Sequence, residues 1–134
     1  MTKVTAIVGV SEAFAFKLRA QGITTVDEYL KKTATKTGRT ELAEKTGIAD
    51  ALILTWANHA DLFRIKGIGG EYAELLEVVG VDTVPELAGR RPDNLFVKMS
   101  EANKERKLVR RLPTINQLIE WIGQAKELPR VMQY

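Results

Sequence analysis

The chain has 134 residues, 45% of them hydrophobic, and a formal net charge of +3, enough to close one core, or two small repeats sharing a core, without metals or disulfides. It contains no cysteine, which excludes disulfides, thiol nucleophiles, thiolate zinc sites and iron–sulfur ligation, and favours a cytoplasmic location. No segment has the length of a membrane span or of a signal-peptide apolar region, so the expectation is one soluble domain over 1–134 with no membrane partner.

Taken in chain order, Ile7, Val8, Gly9 and Val10 make a short turn ahead of a predicted helix bearing Phe14, Ala15 and Leu18. Gly22 stops that helix, and Thr25 with Glu28 three residues later has the pattern of a capping box opening a second, short helix. Leu42, Ala43, Gly47, Ile48, Ile53 and Trp56 then have the spacing of two helices locked across a glycine turn. That is helix-turn-helix spacing. The positions that would face DNA, however, are Ala49, Asp50, Ala51, Leu54 and Thr55, which offer no Arg, Lys, Gln or Asn to base edges. The pair is read as packing helices.

The opening pattern returns in the second half. Residues 7–28 align without a gap to residues 65–86 at a constant offset of 58. The matched columns are Ile7 with Ile65, Gly9 with Gly67, Phe14 with Tyr72, Leu18 with Leu76, Gly22 with Gly80 and Val26 with Val84. Gly67 and Gly69 flank Ile68, which suits a tight hairpin with glycine at positive φ and one apolar residue plugged between two helices. Tyr72, Ala73, Leu75, Leu76 and Val79 place an apolar stripe on the next helix. Gly80 is the expected left-handed cap, and Thr83 with Glu86 is a second predicted capping box. Each half ends in a Trp-bearing helix, with Trp56 and Trp121 at core positions, and Thr114 with Gln117 caps the last one. The expected fold class is all-α, a compact bundle of short helices from two tandem repeats, about 1–61 and about 62–134.

The stretch Ile65-Lys66-Gly67-Ile68-Gly69 with Tyr72-Ala73, Leu75-Leu76, Gly80-Val81 and Leu87 resembles the helix-hairpin-helix motif of DNA repair and replication proteins. The whole chain, including Leu42–Ile48 and Leu108–Pro113, resembles a bacterial family with tandem copies that is catalogued as a domain of unknown function. The resemblance implies two helix-hairpin-helix repeats and a nucleic-acid partner. In binding members the glycine hairpin offers backbone amides at a helix N-terminus to a phosphate, which is the ordinary physics of unbonded N–H groups at the positive end of a helix dipole.

Gly67, Ile68, Gly69 and Gly70, with Arg64 and Lys66 adjacent, are the candidates for that contact. Glu71, Glu74 and Glu77 oppose it by keeping the following helix acidic. In the first copy Ser11 and Glu12 replace the glycines, so that hairpin is read as structural. The charge distribution points to a second candidate: residues 1–60 carry +2, 61–88 carry −4 and 89–134 carry +5. If residues 104–111 are helical, Lys104, Arg106, Lys107, Arg110 and Arg111 fall on an arc of about 160°, a basic stripe suited to a nucleic-acid backbone. Its alternative is a solvated face partly balanced by Glu101 and Glu105. Arg90 and Arg91 are a conceivable extension.

Val81-Asp82-Thr83-Val84 is similar to the catalytic aspartate segment of helix-hairpin-helix DNA glycosylases. There the aspartate lies farther downstream, and a lysine often stands where this chain has Glu71, so glycosylase activity is rejected. His59 is the only histidine and lacks the partners a zinc site needs. No catalytic residue, metal ligand, cofactor or small-molecule substrate is predicted. The expected function is non-enzymatic: sequence-independent DNA or other nucleic-acid binding, or alternatively a protein-interaction or scaffold role with purely structural hairpins.

Overall fold

The computed structural model describes residues 1–134 as eight α-helices and one 3₁₀ turn, Val4–Ala6, with no β-strand. The helices are α1 (Glu12–Arg19), α2 (Val26–Thr33), α3 (Lys36–Thr46), α4 (Asp50–Leu62), α5 (Gly70–Val78), α6 (Val84–Ala88), α7 (Pro92–Arg106) and α8 (Ile115–Glu127). The chain divides into two compact units. One is Met1–Asp61 together with Val131–Tyr134, and the other is Leu62–Arg130.

The sequence repeat is a backbone repeat. Ile7 and Ile65 donate to Val4 and Leu62 at 3.1 Å each, and Val10 and Ile68 donate back to Ile7 and Ile65 at 3.1 and 3.2 Å. After the following helix, Ile23 donates to Leu18 at 3.0 Å and Val81 to Leu76 at 2.8 Å, the bond that closes a helix over a left-handed glycine. Gly9 and Gly67 take φ of 98° and 101° for a reason beyond the turn itself. A Cβ on Gly9 would stand 3.1 Å from Trp56 Nε1, and one on Gly67 would stand 2.8 Å from Trp121 Nε1. In both units the indole of the last long helix lies against the glycine of the first turn.

The cores grow around those indoles. In the first unit Trp56 meets Phe14 edge-on at 5.1 Å and Tyr29 at 6.4 Å, and the buried Tyr29 hydroxyl donates to Ile53 O at 2.8 Å. In the second unit Trp121 meets Tyr72 at 5.2 Å, over a core that includes Ile65, Leu75, Leu76, Leu87, Leu95 and Leu118. Such aromatic pairs contribute about 0.5–1.5 kcal/mol beyond the area they bury. Leu42, Ile48, Ile53 and Trp56 are all buried, so the α3–α4 pair spends its apolar faces on packing.

Helix ends follow local chemistry with two departures from expectation. Thr25–Glu28 and Thr114–Gln117 form complete capping boxes at α2 and α8. Thr83 does not: its hydroxyl accepts no amide from α6, and the Glu86 carboxylate instead accepts from Asp82 N at 3.1 Å. Pro85 at the start of α6 helps explain this, since a proline there needs no amide satisfied and already sets φ for the helix. The second departure is the end of α7. The helix stops at Arg106, and Lys107 caps it in the left-handed region at φ 51°, ψ 46°. Asn103 holds the exit by a two-way clamp, its Nδ2 donating to Val109 O at 3.1 Å and its Oδ1 accepting from Val109 N at 3.0 Å. That side chain imitates a neighbouring strand and fixes the non-helical course of 107–111.

The last four residues return to the first unit. Met132 is buried, and Gln133 N donates to Ala34 O at 2.8 Å. The guanidinium of Arg39, 7% exposed, donates to Thr33 O, Ala34 O and Gln133 O and lies over the Tyr134 ring at 5.6 Å.

Candidate functional site

The second unit contains a cleft of about 410 Å³ lined by Gly67, Gly69, Gly70, Glu71, Tyr72, Val109, Arg110 and Arg111. One wall is the glycine turn and the first turn of α5. The other is the segment that leaves α7. Residues some 40 positions apart therefore face one space. The walls are tied together where the Tyr72 hydroxyl donates to the backbone carbonyl of Arg111 at 2.9 Å.

The α5 wall is a helix N-terminus that the chain leaves uncapped. Its first backbone bond is Ala73 N to Gly69 O, so the amides of Gly70, Glu71 and Tyr72 precede any intrahelical carbonyl. Gly69 is the N-cap and has no side chain to accept them. The first copy differs at this point: Ser11 is the N-cap of α1, and its Oγ accepts from Phe14 N at 3.4 Å. Arg110 and Arg111 are exposed, and with the partial positive charge of the α5 terminus they make a polarity suited to an anion. The exposed carboxylate of Glu71 lies on the same walls and opposes it.

Other predicted residues are turned to structural use. Ile68 is buried and its amide is spent on Ile65 O, so it offers no donor to a ligand. The Lys66 backbone is occupied at both atoms by Gln124, whose Oε1 accepts from Lys66 N at 2.8 Å and whose Nε2 donates to Lys66 O at 3.2 Å. Arg64 is partly buried, and its Nη1 donates to Pro129 O at 2.9 Å, just past the end of α8. Those two side chains tie the turn to α8. Within the expected stripe, only Lys104 and Arg106 are helical; Lys107, Arg110 and Arg111 lie beyond the end of α7. The single basic helix face over 104–111 is therefore corrected to two groups: an exposed cluster at the end of α7, and an arginine pair in the cleft. The break arises because Lys107 turns left-handed and Asn103 captures Val109.

Arg90 and Arg91 belong elsewhere. They line a second cleft with Asn94, Val97, Lys98 and Glu101. Arg90 Nη2 donates to Gly80 O at 3.2 Å, at the far end of α5 from the glycine turn. Arg91 lies 3.4 Å from Asp93, whose carboxyl is held below its usual pKa mainly by the Asn94 amide, with Arg91 also helping. Sequence reasoning assigned Tyr72 only to the apolar stripe and passed over Asn103 and Gln124, which place the cleft walls. Trp56 and Trp121 are 1% and 2% exposed, which leaves neither ring a face for stacking on bases. No group of three or more His, Asp or Glu side chains is arranged to hold a metal, and no helix is long and apolar enough to cross a membrane.

Among known families, the model described as Domain of unknown function (DUF4332) matches residues 8–128. No curated protein and no solved structure matches the chain.

Proposed function

Because the chain belongs to that family, whose description assigns no activity, its own residues have to supply a reading, and we propose that it is a non-enzymatic, sequence-independent nucleic-acid-binding protein of the helix-hairpin-helix kind. The observation that supports this best is the cleft in which the uncapped start of α5 faces Arg110 and Arg111. The amides of Gly70, Glu71 and Tyr72 bond one phosphate oxygen set, and the two guanidinium groups neutralise its charge and that of a neighbouring phosphate. Guanidinium forks match phosphate geometry. Nothing in the cleft offers a base edge a paired donor and acceptor, so affinity comes from backbone charge and falls with salt. Lys104, Arg106 and Lys107 add long-range attraction. Glu71 holds the affinity down.

The test is titration of labelled single-stranded and duplex DNA, by fluorescence anisotropy, at about 50 and about 200 mM salt. The expected result is micromolar binding at low salt that weakens at the higher one. Arg110→Glu with Arg111→Glu weakens it by at least about tenfold and flattens the salt slope by about one to two, while Glu71→Gln tightens it by about threefold. Absence of binding by the wild-type chain at low salt overturns the proposal. The protein-interaction reading would then stand, favoured by the acidic run Glu71, Glu74 and Glu77 along α5.

A further inference from the structure

The two copies place the same aromatic at the same contact and differ there by one oxygen atom. Phe14 and Tyr72 occupy matched positions, and each packs on its own unit's tryptophan, at 5.1 and 5.2 Å. Phe14 shows that this packing needs no hydroxyl. The Tyr72 hydroxyl is bonded to Arg111 O at 2.9 Å, on a segment that lines the cleft, and Phe14 at the matched position has no hydroxyl to make such a bond.

We infer that Tyr72 is a positioning residue whose hydroxyl holds the Arg110–Arg111 segment against the glycine turn. The inference rests on the proposed function for its consequence in binding, while the tether itself is testable without any ligand. Mechanically the path is short. Gly67 abuts Trp121, Trp121 supports the Tyr72 ring, and the Tyr72 hydroxyl holds the Arg111 carbonyl. From the other side Asn103 holds Val109 through both backbone atoms. Between those two anchors lies Arg110, whose backbone then has little freedom left. Fixing two arginines before a ligand arrives removes an ordering cost from binding, so the hydroxyl acts on affinity without touching the ligand.

The experiment uses the full chain with Tyr72→Phe, which restores the first copy's aromatic and leaves the ring packing in place. Native-state trypsin digestion reads the tether directly, since the exposed Arg110 and Arg111 are cleavage sites within the tethered segment. Cleavage after these two arginines is expected to accelerate about three- to tenfold, the loss of one net hydrogen bond, with cleavage at Lys17 and Lys31 in the first unit unchanged. Asn103→Ala, which opens the second anchor, accelerates the same sites. The DNA titration with Tyr72→Phe is expected to show a three- to tenfold weaker Kd while the melting temperature stays close to wild type.

Unchanged cleavage at Arg110 and Arg111 in Tyr72→Phe overturns the inference, whatever the titration shows. A melting temperature lowered in step with faster cleavage at all sites also overturns it, because the hydroxyl would then be serving general stability. Faster local cleavage in a chain that binds no DNA leaves the tether supported and removes only the proposed function.

Discussion

Replacing Gly67 by alanine separates two costs that the structure makes visible at one position. The first is backbone strain. At φ 101° a Cβ crowds its own carbonyl, which costs about 1–2 kcal/mol. The second is contact. The new Cβ would stand 2.8 Å from Trp121 Nε1, several tenths of an ångström inside ordinary contact, and Trp121 is 2% exposed and backed by Tyr72. Moving a packed indole in a core costs a further 1–3 kcal/mol, roughly. Gly80→Ala supplies the control within the same unit. Its φ is 91°, and the nearest atom to its Cβ is the end of the flexible Arg90 side chain at 3.3 Å, so it bears the strain almost alone. The assay is urea denaturation followed by indole fluorescence in a Trp56→Phe background, so that Trp121 reports the second unit. Gly67→Ala is expected to lose about 2–5 kcal/mol and to exceed Gly80→Ala by about 1–3 kcal/mol. If the two variants agree within about 0.5 kcal/mol, the close approach of indole and turn is not what makes glycine necessary there.

Three further outcomes follow from other parts of the chain. Arg39→Met keeps the aliphatic stem but removes the donor to Thr33 O and Gln133 O, while Ala34 O keeps the Gln133 amide, and should destabilise the first unit by about 2–4 kcal/mol; urea midpoints measure it, and faster carboxypeptidase release of the last residues checks that the tail has lifted. Lys107→Gly relieves a non-glycine residue at φ 51° and should raise the melting temperature by about 2–5 °C in a thermal scan. The Glu28 carboxyl is held below its usual pKa of 4.5, chiefly by the amides of Thr24 and Thr25. A carboxyl depressed on folding contributes stability that is fully present above its unfolded pKa and is lost as pH falls through the folded value. Glu28→Gln, able to keep the capping geometry as Gln117 does, should therefore be less stable than wild type at pH 7. Denaturation curves should show the gap narrowing as pH falls below the unfolded carboxyl value of about 4.3; a gap that does not change with pH across the acid range would contradict the assignment.

Local backbone chemistry explains what could be read from the sequence and where the reading stopped. The repeat was legible because its columns are residues whose conformations are chosen locally: glycine where φ is positive, threonine where a helix starts, apolar residues three and four apart. The same reasoning misjudged the end of α7, because the residue that turns left-handed is Lys107, which carries no glycine signal, and Pro113 stands several residues too late to mark the stop. At Thr83 the motif is present but the cap is not: the hydroxyl accepts no amide of α6, and the Glu86 carboxylate is bonded to Asp82 N.

What the sequence by itself determined is an all-helical chain made of one pattern used twice, with unequal turns: a serine-capped start in the first copy and a bare glycine start in the second. What only the tertiary structure decided is the use of those turns. Nothing local assigns Trp121 to Gly67, Gln124 to Lys66 or Tyr72 to the Arg111 carbonyl, because each pairing joins residues some 40 to 60 positions apart and is selected by packing. Long-range bonds likewise engage the Arg64 guanidinium and the backbone of Lys66, and packing brought Arg110 and Arg111 to the start of α5. Charge could be counted along the chain; which charges share a space depends on how the core closes.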